Sequence, residues 1–313
     1  MHHLRILSLS PHPNTRVAWR GVGTGSTHGE LDAIVKRELR QFRCHRAPAI
    51  EPGGTAVDYV PPSVLRIESD GPVRILTLNN PDERNAFVDD LHHAMTDVWE
   101  HLGDDPDVRA VVLTGEGKAF SAGGNVPGFI RDYDDPEHRR KSLRMARRLL
   151  DSMVAFHKPL IAAVNGPAVG LGCSVATSCD LVLIADSAFM ADTHVSIGLV
   201  AGDGGAVAWP LMMSILKAKE YLFTGDRISA ELAVELGLAN RVVPRDQLMD
   251  EALALAHRIA AQPPQAVQET KRAVNLHLQQ AIQLVAPFAM SAEAESFATE
   301  DIKRTIEGFK NKS

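Results

Sequence analysis

VVLTGEGKAFSAGGN, residues 111–125, and PLIAAVNGPAVGLGCSVA, residues 159–176, decide how this chain folds. In each, an apolar run of strand character ends in a glycine-bearing turn, and the second turn opens onto a helix-like stretch. Glycine admits a ligand close to the main chain, and a helix N-terminus offers unpaired N–H donors with partial positive charge. Two such donors aimed at one oxygen form an oxyanion hole, which suits an enolate or the tetrahedral intermediate of a thioester. Losing one donor typically costs about 100- to 1,000-fold in rate.

Outward from these turns, strand-like runs alternate with helical ones. VLRIE, VRILTLN, AVVLTG, LIAAVNG and LVLIAD read as strands, separated by helical stretches such as residues 89–102 and 138–157. That alternation predicts an α/β layer structure rather than a barrel of hairpins. From about Asp246 the pattern is helical to the end, beginning with QLMDEALALAHRIAAQ. The basic run from Arg139 to Arg148 fits the wet face of an amphipathic helix, since Leu143, Ala146, Leu150 and Val154 recur at helical spacing.

Composition narrows the function classes. With 313 residues and 45% apolar content the chain can bury a substantial core in one domain or two. A net charge of −6 and few aromatic residues argue against a nucleic-acid partner, which usually selects a basic surface. IAAVNGPAVGLG is broken by Asn165 and several glycines, short of the roughly 20 apolar residues of a spanning helix. A soluble, cytoplasmic protein without a membrane partner is the expectation. Cys44, Cys173 and Cys179 show no short metal-type spacing, so reduced thiols are expected, the last two buried and structural, and no metal site is predicted.

Residues 1–60 carry scattered Gly, Pro, His and Arg with little periodicity, apart from LDAIVKRELRQF. Glu30, Asp32 and Glu38 weaken a transit-peptide reading, and a mostly disordered extension or an upstream translation start is expected. Three segments follow: the extension at 1–60, a core domain at 61–245 and a helical lobe at 246–313.

Other chemistries lack their residues. There is no G-x-S-x-G elbow and no H-E-x-x-H zinc helix. GEGKAF lacks the glycine spacing and the Ser or Thr after Lys118 that a P-loop requires. Gly170-Leu171-Gly172 follows a strand and precedes a helix, as in a dinucleotide fingerprint, but the third small position is Val175.

NPDERNAF (residues 80–87), KAFSAGGN, NGPAVGLGC, the stretch CDLVLIADSAFMADTHVSIGLVAGDGG (179–205), FTGDRISAELAVELGLANRVVP and PPQAVQETKRAVN together resemble the crotonase superfamily, the enoyl-CoA hydratase/isomerase fold. The resemblance covers about residues 61–313. It implies a spiral of ββα units with a C-terminal helical lobe, a homotrimer or a hexamer of stacked trimers, and an acyl-CoA substrate. Coenzyme A then enters as part of the thioester, with no tightly bound cofactor.

The same resemblance assigns the oxyanion donors to the N–H groups of Gly124, just after Ser121-Ala122-Gly123, and of Leu171. It sets Arg84 and Ala122 near the coenzyme, and matches Phe309 and Lys312 to an aromatic residue and a lysine that reach a neighbouring subunit's coenzyme. Surface solvation is the ordinary alternative for Arg84 and Lys312. Hydratases of the family use two glutamates to add water across a double bond. This chain has Ser174 and His194 at those positions, so addition of water by paired carboxylates is not expected.

His194 titrates in the right range to take and return a proton, which is enough to move a double bond. A hydrogen-bonded core histidine is the alternative. Asp203, between Gly202 and Gly204, is a second candidate, either as base or as the carboxylate that orients His194, although Asp-Gly is also ordinary turn chemistry. Serine at 174 is a poor base unless a neighbour deprotonates it. Asn125 is expected to be structural and His92 and His93 to lie on the surface. Asp132, Asp134, Asp135, Glu137 and His138 are expected to form a solvated cluster, the alternative being the acyl-pocket lining that the resemblance implies for this segment, with the loop over residues 126–137 shaping that pocket. The expectation is an enoyl-CoA hydratase/isomerase-like enzyme with single-base isomerisation favoured. Decarboxylation, thioester hydrolysis and non-catalytic acyl-CoA binding remain the alternatives.

Overall fold

The computed structural model describes Tyr59 and residues 61–311. The expectations for residues 1–58, Cys44 and Lys312 lie outside the described residues.

Strands β1 (Leu65–Asp70), β2 (Val73–Leu78), β3 (Ala110–Gly115), β4 (Leu160–Val164), β6 (Leu181–Ala185) and β9 (Arg241–Val243) form one sheet in the order β1-β2-β3-β4-β6-β9. Only β1 and β2 are antiparallel; the other pairs are parallel. Parallel strands covered on both faces read as unbroken apolar runs, and every residue of β3 and β4 is buried. A second small sheet joins β5 (Ala168–Val169), β7 (Phe189–Ala191) and β8 (Ile228–Ser229), with β5 parallel and β8 antiparallel to β7.

The helices are α1 (Asp89–Asp104), α2 (Val126–Asp134), α3 (Pro136–Ala155), α4 (Leu171–Thr177), α5 (Gly205–Met212), α6 (Ile215–Thr224), α7 (Ala230–Leu236), α8 (Leu248–Ala260), α9 (Pro264–Ser296) and α10 (Glu300–Lys310). The loop expected after the first turn is instead α2. Asn125 starts it, its Oδ1 accepting the Gly128 N–H at 2.9 Å while its Nδ2 donates to Glu83 at 2.8 Å. An aspartate could cap the helix but could not make the second bond.

The first helix of the C-terminal segment, α8, buries Leu248, Ala252, Leu255, Ala256 and Ala260 in the same core as the sheet. The chain then runs through α9, whose Ile282 and Ala286 pack with Val154 of α3 and Val207 of α5. Ile302 and Ile306 of α10 pack with Leu199 and Phe297, and Phe129, Ile130 and Tyr133 of α2 lean on them. Lys310 and Asp134 join α10 to α2 through an ion pair at 2.8 Å. No helix among the described residues is long and apolar enough to cross a membrane.

Candidate active site

The two glycine turns meet. Ser121 bridges to Ala168 in parallel fashion, and the Val169 N–H donates to the Ser121 carbonyl at 2.9 Å. Gly123 has φ +80°, and a Cβ there would stand 2.5 Å from the Val169 carbonyl oxygen and 3.2 Å from the Leu171 nitrogen. Gly172 is as tightly placed, since its Cβ would lie 2.6 Å from the Ser121 carbonyl oxygen. Glycine at both positions is therefore what lets the turns touch.

The NPDERNAF segment fastens the first turn. Arg84 and Asn85 are both left-handed, with φ of 53° and 55°. The Asn85 amide donates to the carbonyls of Glu116 at 3.0 Å and Ala119 at 2.9 Å, and the Ser121 hydroxyl donates to the Asn85 carbonyl at 2.7 Å. Ala122 donates its N–H to the Arg84 carbonyl at 2.9 Å, and Phe87 donates to the Gly123 carbonyl at 2.7 Å.

Among the described residues, the N–H groups of Gly124 and Leu171 have no protein acceptor. Leu171 is the first residue of α4, where a helix has no internal partner for its amide. Its side chain is buried and belongs to the main core cluster. Both residues line a cavity of about 390 Å³, together with Ala122, His194, Asp203 and Glu293.

His194 is held between two carboxylates. Asp192 Oδ1 lies 2.7 Å from its Nδ1, and Asp203 Oδ2 lies 3.4 Å from its Nε2. Ser174 Oγ stands 3.3 Å from the other Asp203 oxygen. All four side chains are buried. Burial works against a charged imidazole, but Asp203 and Asp192 outweigh it and hold the His194 pKa well above its ordinary value. The two carboxylates thus favour the protonated form of the ring. Ser174 does not line the cavity; it sits behind Asp203 and orients it.

Two further groups on the cavity wall were not legible as site residues. His92, expected at the surface, is buried beside Phe87, with ring centroids 5.2 Å apart, and burial lowers its pKa to about 4. Glu293 of α9 is buried, and burial pushes its carboxyl up to about 8. Among the described residues, neither His92 Nδ1 nor Glu293 Oε2 has a hydrogen-bond partner. The expected acidic loop is helical instead; Asp134, Asp135 and Glu137 are exposed, as expected, whereas Asp132 and His138 form a half-buried pair at 2.5 Å on the cavity wall. His93 is exposed, as expected, and Cys173 and Cys179 are free and buried.

The coenzyme-facing candidates are scattered. Ala122 lines the cavity, and Arg84 is exposed beside it in sequence contact with the same turn. Phe309 packs against its own chain's Leu199, Phe297, Ile302 and Ile306 cluster and does not line the cavity. No group of three or more His, Cys, Asp or Glu side chains among the described residues could hold a metal ion.

Residues 68–313 match the family model for enoyl-CoA hydratase/isomerase. The chain belongs to the enoyl-CoA hydratase/isomerase family. It is 34% identical to the short-chain-enoyl-CoA hydratase of Clostridium acetobutylicum over 79% of this chain and 97% of that one. Among solved structures, an enoyl-CoA hydratase/isomerase from Mycobacterium paratuberculosis shares 48% identity at a TM-score of 0.76, covering 80% of this chain and all of the other. A monofunctional enoyl CoA isomerase from M. smegmatis superimposes with a TM-score of 0.60 at 26% identity, over 71% of this chain and 99% of that one. As a member of this family, the protein is an acyl-CoA enzyme with the crotonase fold.

Proposed function

We propose that the protein shifts a double bond in an enoyl-CoA thioester, with one proton relay acting against a backbone oxyanion hole. The observation that carries this is the placement of two unpaired amides, Gly124 and Leu171, on the same cavity as the Asp203–His194 pair. The thioester oxygen accepts from both amides. Asp203 removes an α-proton from a 3-enoyl thioester, and the electron pair moves onto the thioester oxygen to give a dienolate. The proton returns at the γ-carbon, leaving the double bond between the α- and β-carbons, so nothing is consumed. His194 pairs with Asp203 and keeps its carboxylate aimed at the cavity, while Ser174 and Asp192 position the pair.

Hydration is the second reading, favoured by the name of the Clostridium relative. Incubation of trans-3-enoyl- and trans-2-enoyl-CoA in deuterated water, followed by mass spectrometry, separates the two. Isomerisation yields a product with the substrate's composition and deuterium at the α- or γ-carbon; hydration yields the mass of one added water. Release of free CoA or carbon dioxide would replace both readings.

The coenzyme handle is assigned to Ala122 and Arg84 within the chain, with Phe309 and Lys312 acting toward a neighbouring subunit. A trimer, alone or stacked as a hexamer, with residues 246–313 as its contact lobe, is supported by exposed apolar side chains on α9: Val274, Leu276, Leu284 and Phe288. Sedimentation equilibrium tests it, and a monomer at micromolar concentration would remove it. A cytoplasmic location completes the proposal.

A further inference from the structure

The wall of the cavity opposite an acyl chain should be apolar if the chain is a plain hydrocarbon. Here two side chains more than nine-tenths buried, His92 at 7% exposure and Glu293 at 5%, line it, and among the described residues neither side chain makes a hydrogen bond. They come from unrelated parts of the fold. His92 is on α1, and Glu293 is on α9, where its Oε2 lies against Gly202, whose missing side chain leaves room for it. Both line the same cavity as Asp203.

Their chemistry is complementary. Burial keeps His92 neutral, with one ring nitrogen to accept and one to donate. It also keeps Glu293 protonated at neutral pH, able to donate through its hydroxyl and accept through the other oxygen. A hydrocarbon tail would seal both groups away from water without a partner, which is unfavourable for each. An oxygen on the acyl chain removes that penalty.

We propose that the preferred substrate is an acyl-CoA thioester carrying a hydroxyl or ketone oxygen beyond its β-carbon, which His92 and Glu293 hold by hydrogen bonds. This rests on the cavity being the acyl-thioester site. A site built around a substrate oxygen rejects the analogue lacking it strongly, and at least about 100-fold in kcat/KM is expected here.

The test measures kcat/KM for crotonyl-, hexenoyl- and decenoyl-CoA, and for hexenoyl and decenoyl chains bearing a hydroxyl or a ketone at the γ, δ or ε carbon. It adds dissociation constants for the saturated thioesters of each type. Wild-type protein should favour an oxygenated chain by about 100-fold or more, and His92→Phe and Glu293→Leu should each reduce that preference at least tenfold, mainly through KM. Glu293→Gln, which keeps a donor and an acceptor, should retain part of it. Plain chains turned over as well as every oxygenated one would overturn the substrate assignment and leave the proposed reaction standing. An equal fall in kcat for plain and oxygenated chains in the variants would also overturn it, by showing that the two residues serve the chemistry alone. If no thioester reacts, the proposed reaction fails, and the saturated thioesters still decide: at least tenfold tighter binding of an oxygenated chain supports the assignment, and equal binding overturns it. If His92→Phe or Glu293→Leu does not fold, the wild-type panel and Glu293→Gln carry the decision.

Discussion

Replacing Glu293 by Gln should stabilise the protein at neutral pH and leave it little changed in mild acid. Burial is the largest influence on this carboxyl; His194 works to lower its pKa, and Asp203, Asp192 and Asp132 work to raise it. Its pKa rises from 4.5 to about 8 on folding. In that window the native state keeps a proton that the unfolded chain has released, so stability falls as pH rises through it. At about 1.36 kcal/mol per pH unit, the cost accumulated by pH 7 is about 3 kcal/mol. Glutamine has nearly the same volume and no proton to lose, so the variant escapes this slope. Its own amide adds a hydrogen-bonding requirement, but that offset does not depend on pH. Urea unfolding of both proteins at fixed concentration, from pH 5 to pH 7, should show the gap widening by about 2–3 kcal/mol in favour of the variant. Parallel curves would refute the reasoning, because they would mean that Glu293 ionises alike in the folded and unfolded chain.

Leu171→Pro removes one oxyanion donor at a position where proline suits a helix, so kcat should fall about 100- to 1,000-fold. Leu171→Ala keeps the amide and should cost stability from lost core packing but far less activity; steady-state kinetics with thermal melts separates the two. Asp203→Asn should lower kcat by about 100-fold or more, whereas Ser174→Ala, which removes only an orienting hydroxyl, should cost less than about tenfold. A reversal of that order in single-turnover kinetics would return the chemistry to Ser174. Asp192→Asn strips one of the two carboxylates that raise His194, so the imidazolium should lose its proton at lower pH. The alkaline limb of the kcat–pH profile should then move toward neutral, and an unmoved limb would detach His194 from the rate.

The parts of the fold that were readable are those in which local sequence and environment agree. A parallel strand covered on both faces has to be apolar throughout, so AVVLTG and LIAAV announce themselves, and both are observed as fully buried strands. The turns are legible for a similar reason: the close approach of Gly123 and Gly172 to the facing strand admits no side chain, and the residue type records that constraint. Helix α2 was read as a loop because its charged residues outweigh Pro127 and the Asn125 cap, two start signals that were present.

Side chains whose role depends on distant packing left no such record. His92 and His93 are neighbours in one helix, yet one is buried at the cavity and the other is in solvent. Rotation about the helix axis decided between them, and the apolar neighbours Leu91, Met95 and Val98 show afterwards which face was the inner one. Asp192 could have been found, since a carboxylate two residues before His194 on the exit from a strand is well placed to reach its ring, as it does at 2.7 Å. Glu293 could not. It lies within the 33-residue helix α9 and lines the cavity because Ile282 and Ala286 dock that helix on α3 and α5. The oxyanion turns are thus set by local backbone geometry, whereas the polarity of the acyl wall is set by helix docking across the fold. Those two layers can vary separately, so a family can keep the thioester end of its site while changing the acyl group it accepts.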